Sequence, residues 1–541
     1  MGEGPIQAPR WIDSGAVVTG GLDLLGLRLP VQFIGGSLFD GVTTVTPQVR
    51  YLAFRAWLIH QYGQTGLPDS WQRFTEFALR IESAIVLANL IEDRGIGGLI
   101  GADQAIVRLV AGTAAVSVAP LVKVPAATVY AGPSEWQQLA ITKDRGEAVP
   151  ALVDERGIPL ADVVSKRFSG ISVLRRLIED PSIAEVSIDD LKELGSVARI
   201  DQVADDERQA LLASILPRLP RPRERVRIAT YAALLSLAGA LSRVPREQDL
   251  FDAACSKRRF GERLLDQAAD GWVTYCVRDA IAVTQEGVLS AVMTELTGSA
   301  DEGLSGAEAG TLIASLMERV EDHGIALRNL GLLGASESVA GLSFRQLRQR
   351  IEEKVSAGKE TRQGIARWDS PLSETQLYEL ALRSGAGALS LAVVAWILAD
   401  LRVGPVVRER GKDAAGLSYQ GWRRVGLRDV ILPELDRFWR EDRSVREVAA
   451  ELAYRTVNQH LQIAWSRLQA DPRRDVALLT TEGDTWYARG KGFAGGRTAS
   501  RLSQAVGWLE QLGLIDAKGL TLDGEIVRQN ALHSLAEGEV V

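Results

Sequence analysis

Apolar residues recur at three- and four-residue spacing through most of the chain. Leu52, Trp57 and Ile59 keep that rhythm after Thr46, as do Leu377, Leu380 and Leu382 after Ser373. A period near 3.6 residues predicts amphipathic helices with one face turned to a core. Four Ser-x-x-Glu/Gln phrases mark helix starts: Ser134 with Gln137, Ser305 with Glu308, Ser373 with Gln376, and Ser444 with Glu447. In such a phrase the hydroxyl accepts from an early helix amide while the acid or amide side chain reaches back to the cap. Thr46-Pro47 reads as a further cap, with proline where a missing N–H costs nothing. Strand-like alternation is confined to parts of 14–45, 113–130 and the last seventy residues. The fold class expected is mainly α: a multidomain helical protein with a small C-terminal winged-helix-like α+β unit.

A chain of 541 residues exceeds one ordinary core and predicts two to four domains. The run LPRLPRPRER, with Pro217, Pro220 and Pro222, interrupts two helical patterns and reads as a linker. A second break falls at VGPVVRERGKDAAG, residues 403–416. The spans expected are an N-terminal helical domain with an extended Gly-rich leader at 1–216, a central helical domain at 223–403, and the winged-helix-like domain at 416–541. No repeat of fixed period is present, which disfavours a solenoid.

Composition narrows the function. The net charge of −7 argues against a protein that coats nucleic acid nonspecifically. Two cysteines, Cys255 and Cys276, make no disulfide framework, and no CxxC or HxxxH spacing offers zinc ligands. The start MGEGPIQAPRWIDSG lacks the basic and apolar regions of a signal peptide, and the uncharged run at 384–399 has 16 residues against the roughly 20 that span a bilayer. A cytoplasmic protein without a membrane partner is expected, with that run as an internal helix. Charge is uneven: residues 401–501 hold 19 Lys or Arg against 13 Asp or Glu, a local +6 in an acidic chain.

Within that tract, GKGFAGGRTASR at 490–501 has the glycines, basic residues and hydroxyls of a phosphate loop. It lacks the Walker spacing: Lys491 stands where the first glycine belongs, and Arg497 where lysine belongs. A role as the approach to a helix explains it better. Leu502, Ala505, Val506, Leu509 and Leu512 keep a helical period, Gly513 is suited to close that helix, and Leu514-Ile515, a DAKG turn and LTLDG lead into a last helix. Helix, strand, turn, strand and helix is similar to the C-terminal half of a winged-helix domain, with the helix from Ser444 to about Leu468 as its first. Arg497, Arg501 and Gln504 then stand at the start of a recognition helix and Lys518 on the wing, placed to meet phosphates or base edges of double-stranded DNA. The same module also serves as a protein contact, and the residues leave both uses open.

No catalytic, cofactor or metal residue is assigned. GIGGLIG at 95–101 follows a helix rather than a strand and reads as a helix–helix turn. GxSxG and HExxH are absent, and His60, His323, His460 and His533 stand far apart. The acid-x-Lys pairs Asp190–Lys192, Glu352–Lys354 and Asp516–Lys518 fall in helices and a turn, not on the strands that metal-dependent nucleases use.

The run GLDLLGLRLPVQFIGGSLFDGVTTVTPQVRYLAFRAWL, residues 21–58, resembles the opening of a group of uncharacterised bacterial proteins encoded among antiviral defence genes. The matching residues are Gly21-Leu22-Asp23, Leu25-Gly26, Thr43, Thr44, Thr46 and Arg50-Tyr51. Leu24 stands where the group has proline, and Leu52 where it has a second aromatic. The phrase GRTASRL…GWLEQLGLID is similar to the tail of the same group. The resemblance implies a noncatalytic subunit of an antiphage defence complex whose partner is an operon-encoded ATPase, helicase or nuclease. A stand-alone DNA-binding regulator, or an enzyme without a recognisable motif, are the alternatives. Physically, Leu22, Leu25, Leu27 and Leu29 make an apolar plug that by default docks on the body of its own chain.

Overall fold

Ser373 and Ser444 do what their spacing predicts. Each hydroxyl accepts from the amide three residues on, and Gln376 and Glu447 answer to the cap amide, opening helices Glu374–Arg383 and Val445–Ala470. Ser343 with Gln346 makes a third such box at Phe344–Ser356, one not anticipated from the sequence. Ser134 caps nothing: it lies inside the helix Ala131–Trp136, where its hydroxyl accepts from Arg55 Nη1 at 3.0 Å. Thr46 folds back on its own loop, bonding Thr43 N and O, and the helix Arg50–Gln64 begins after Val49 without a side-chain cap.

The structure is a computed structural model describing residues 23–110, 112–143, 147–255, 263–298, 306–357, 368–410, 426–471, 475–489, 493, 495–496 and 501–537. Ser305 and its predicted box therefore lie outside the described residues. The chain is mainly α: among the described residues there are twenty-two α-helices and nine strands of two to four residues. It divides into two units, each gathered from separated segments. Unit 1 is Met1–Ile34, Phe251–Arg259 and Asp270–Thr498; unit 2 is Gly35–Leu250, Phe260–Ala269 and Ala499–Val541. The contiguous spans 1–216, 223–403 and 416–541 divide the chain differently. Helix Val445–Ala470, expected to open the winged-helix-like unit, belongs to unit 1, whereas the helices Arg501–Gln511 and Leu522–Glu537 belong to unit 2.

In unit 1 the helix Gly387–Arg410 is the core element. Its stretch Gly387–Pro405 is long and apolar enough to cross a membrane, but 89% of it is buried within the protein. A Cβ on Gly387 would stand 2.7 Å from Asp322 O, so this close crossing requires glycine. The strand Gly306–Glu308 pairs antiparallel with Thr485–Ala488, which forms a hairpin with Leu479–Glu482 across Gly483 (φ +59°). The N-terminal plug docks here. Leu24, Leu25 and Leu27 are buried, and Leu24 O and Leu25 O meet the side chains of His460 and Gln459. Leu29, expected in the plug, is 42% exposed, and Leu22 lies outside the described residues. Asp23 accepts from the first amides of helix Arg28–Leu38, so residues 28–38 form a helix where alternation suggested strand.

In unit 2 the helices Trp71–Glu92 and Ile188–Ala198 pack so closely that a Cβ on Gly195 would come within 2.9 Å of Ala88 O. Buried Asn89 bridges Ala198 O and Ile200 N at 2.8 Å each. Arg50 is buried and grips Glu207 through two bonds of 2.8 and 2.9 Å. Ala115–Ser117 realises the alternation read at 113–130 and pairs with Glu185–Ser187. A second two-stranded ladder joins Ala140–Ile141 to Ala151–Leu152. Gly98 and Gly101, both at positive φ, turn the chain from Trp71–Glu92 into Ala102–Arg108, as a helix–helix turn requires.

Candidate nucleic-acid interface

The helix Arg501–Gln511 buries Leu502, Ala505, Val506, Trp508 and Leu509, the stripe read from the sequence with Trp508 added. It ends in a Schellman turn. Gly513 N donates to Glu510 O and Leu514 N to Leu509 O, with Gly513 at φ +68° where an L side chain is strained. Ile515–Asp516 then pairs with Gly519–Leu520. Asp516 Oδ1 accepts from Lys518 N at 2.7 Å and shapes the turn, and Thr521 Oγ1 caps the last helix by accepting from Gly524 N at 2.9 Å. That helix, Leu522–Glu537, packs Ala531 and Leu535 onto Ile228, Ala229, Ala232 and Ala233 of Arg225–Leu241.

Three hydrogen bonds fix the helix Arg501–Gln511 to the threonine-rich loop. Trp508 Nε1 donates to Thr46 O at 2.8 Å, Gln511 Nε2 donates to Pro47 O at 2.9 Å, and Gln511 Oε1 accepts from Val49 N at 2.8 Å. The two phrases that carry the family resemblance therefore meet side to side within unit 2.

Of the predicted DNA-contacting residues, Arg497 lies outside the described residues. Arg501 is the first residue of its helix and half-buried, its guanidinium 3.6 Å from the place a Cβ would take on Gly36. Gln504 is half-buried one turn on and accepts from Ser503 Oγ. Lys518 is exposed at the hairpin tip. Since the hairpin follows the helix C-terminus, about 16 Å of helix separates Lys518 from Arg501. The structure brings Arg501 and Gln504 together and sets Lys518 apart.

A second group, centred on Asp40, lies within electrostatic reach of Arg501. Asp40 is buried just beyond the helix that carries Gly36, and fully buried Arg227 reaches its carboxylate at 3.9 Å. Burial pushes the Asp40 carboxyl up to about 6, against the pull of Arg227, Arg223 and Arg501, with Glu224 adding to the rise. Glu224 itself takes Arg221 N at 2.9 Å, Arg156 at 2.7 Å and Arg227 at 3.2 Å. These bonds pin the segment LPRLPRPRER inside unit 2, where Pro222–Glu224 makes a 3-10 turn into Arg225–Leu241. The arginine at every second or third position of that run was its signal, masked by reading the prolines as a linker.

The basic tract at 401–501 has a different role. In unit 1, Arg437, Arg443 and Arg455 share Glu451, and Arg437 and Arg455 also hold Glu434. Arg402 pairs with Glu374, Arg408 with Asp400 and Asp436, and Arg489 with Asp475. Six of its described arginines thus serve ion pairs. In the glycine-rich loop, Gly496 O accepts from Arg28 and Gly496 N donates to Glu286 Oε2 at 3.3 Å. Arg28 in turn grips Glu286 twice at 2.8 Å and Asp279 at 3.0 Å. A carboxylate occupies the amide that a phosphate would seek, and the described part of the loop serves as a joint.

His323 and His460 are buried and hydrogen-bonded on both nitrogens, and burial lowers the pKa of each. Among the described residues no group of three or more His, Cys, Asp or Glu is placed to hold a metal ion. Compared with protein-family models, curated proteins and solved structures, the chain matches none.

Proposed function

We propose that this protein is a noncatalytic helical subunit of a bacterial antiphage defence complex, acting in the cytoplasm. It contacts double-stranded DNA, and through it an operon-encoded ATPase, helicase or nuclease, with a winged-helix-like C-terminal unit. The observation that carries the reading is the setting of Arg501. It opens a helix whose apolar face is fixed by Trp508 and Gln511, and it shares with the exposed Arg223 electrostatic reach to the Asp40 carboxylate. The positive end of the helix dipole and the guanidinium groups of Arg501 and Arg223 suit phosphate oxygens. The defence setting rests on the resemblance. The interlocking of its two phrases at Thr46 and Trp508 supports treating them as one signature.

Fluorescence anisotropy with a labelled blunt duplex, titrated from low to physiological salt, tests it. Arg497→Ala/Arg501→Ala is expected to weaken binding and to flatten the salt dependence by roughly 0.9 for each phosphate no longer neutralised. Absence of duplex binding at low salt removes the reading.

A further inference from the structure

The arginine-rich turn of unit 2 stands beside an aromatic ring that the fold leaves open. Trp136 is 46% exposed, although its neighbours Pro133, Ser134 and Gln137 are buried. The Arg223 guanidinium lies over its indole ring, 5.5 Å from the centroid. Arg218, Arg221 and Arg223 are exposed and held by Pro220, Pro222 and the bonds to Glu224, with Leu219 82% exposed among them. Among the described residues no carboxylate lies within ion-pair distance of Arg218 or Arg223; Arg221 has only Glu155, at 4.0 Å.

The patch and Arg501 flank one short segment. The segment from Gly36 to Gly41 carries the Arg501 guanidinium at one end, while at the other Trp136 Cβ stands 3.2 Å from the place of a Cβ on Gly41. Five residues span at most about 17 Å, even fully extended. Arg227 ties Trp136 to this segment by donating to both Asp40 O and Trp136 O.

An exposed aromatic ring beside cations without carboxylate partners is a stacking platform, and it recognises bases whose faces are free. Duplex DNA hides those faces, whereas an unpaired strand presents them. We infer that Trp136, with Arg218 and Arg223, binds a single-stranded segment next to the duplex contacted at Arg501, so that the preferred ligand is a duplex–single-strand junction. This rests on the proposed DNA contact and names its substrate class. Trp136 stacks an unpaired base, and Arg218 and Arg223 neutralise the phosphates of that strand.

The test compares three labelled ligands by anisotropy at fixed low salt: a blunt duplex, a single strand, and the duplex with a single-stranded tail. The tailed duplex is expected to bind about ten times more tightly than the blunt one, the worth of one stacked base. Trp136→Ala should abolish that gain without changing blunt-duplex affinity, and Trp136→Phe should restore part of it. Arg218→Ala/Arg223→Ala should reduce the salt dependence for the tailed ligand by roughly 0.7 per phosphate. A tail that adds nothing, or a gain that survives Trp136→Ala, overturns the inference while leaving the blunt-duplex result to judge Arg501. Single-strand binding that needs Trp136 without any duplex binding keeps the stacking site and sinks the Arg501 reading. Binding of no ligand sinks both. Circular dichroism of each variant separates a missing side chain from a collapsed fold.

Discussion

His460 is neutral in the fold because both of its nitrogens are committed. Nδ1 faces Leu24 O at 3.2 Å and so carries the proton, while Nε2 accepts from Leu478 N at 2.9 Å. Burial lowers its pKa, as it does for His323. The unfolded chain therefore takes up protons that the folded one refuses, and stability is lost as pH falls through the unfolded value, about 6.5. Each such histidine contributes up to about 1.4 kcal/mol per pH unit below that point. His460→Gln is expected to reduce the slope of unfolding free energy between roughly pH 6.5 and 5 by up to one proton. Denaturant melts across that range measure it, and an unchanged slope would show that His460 does not hold the N-terminal plug in this way. A histidine read from sequence as a core or surface residue is thus a core residue with a defined tautomer.

Gly513 is the position on which the helix–hairpin–helix element turns. With φ at +68° and Arg208 Nη1 3.0 Å from the place of its Cβ, Gly513→Ala meets both backbone strain and a neighbour that must shift. A drop of about 1–2 kcal/mol is expected in thermal or denaturant unfolding. A smaller effect than for an exposed Gly→Ala elsewhere would contradict the Schellman geometry. This element was the most legible part of the sequence: its apolar stripe, its glycine stop and Lys518 on the turn all stand where periodicity put them. Strands were legible only in part. Gly306–Glu308 pairs with Thr485–Ala488 across some 180 residues, and three residues are too few to show alternation. The candidate site was half visible. Arg501 and Gln504 follow from helix phase, but Trp136 and Arg223 meet through tertiary packing, and their segments carry no shared pattern.

The two units are each stitched from distant pieces, which composition and punctuation could not reveal. Six described arginines of residues 401–501 are held in ion pairs, mostly with glutamates and aspartates of the same tract, so a local net charge was a poor guide to an open basic face. Unit 2 depends on residues 499–541 for part of its core, through Ala531 and Leu535 and through Trp508 on Thr46. Truncation after residue 500 is expected to destabilise residues 35–250, seen as faster limited proteolysis within that span, while residues 270–498 keep their resistance. Equal sensitivity in both spans would contradict the division into two units. Synthesis from the N-terminus gives this division a temporal meaning. The ribosome completes residue 250 about 12 to 50 s before residue 499, at 5–20 residues per second. For that interval the alanine face of Arg225–Leu241 has no cover from Leu522–Glu537. The unit whose larger part is made early, Gly35–Leu250, is finished last, which makes its nascent chain a natural client for a chaperone.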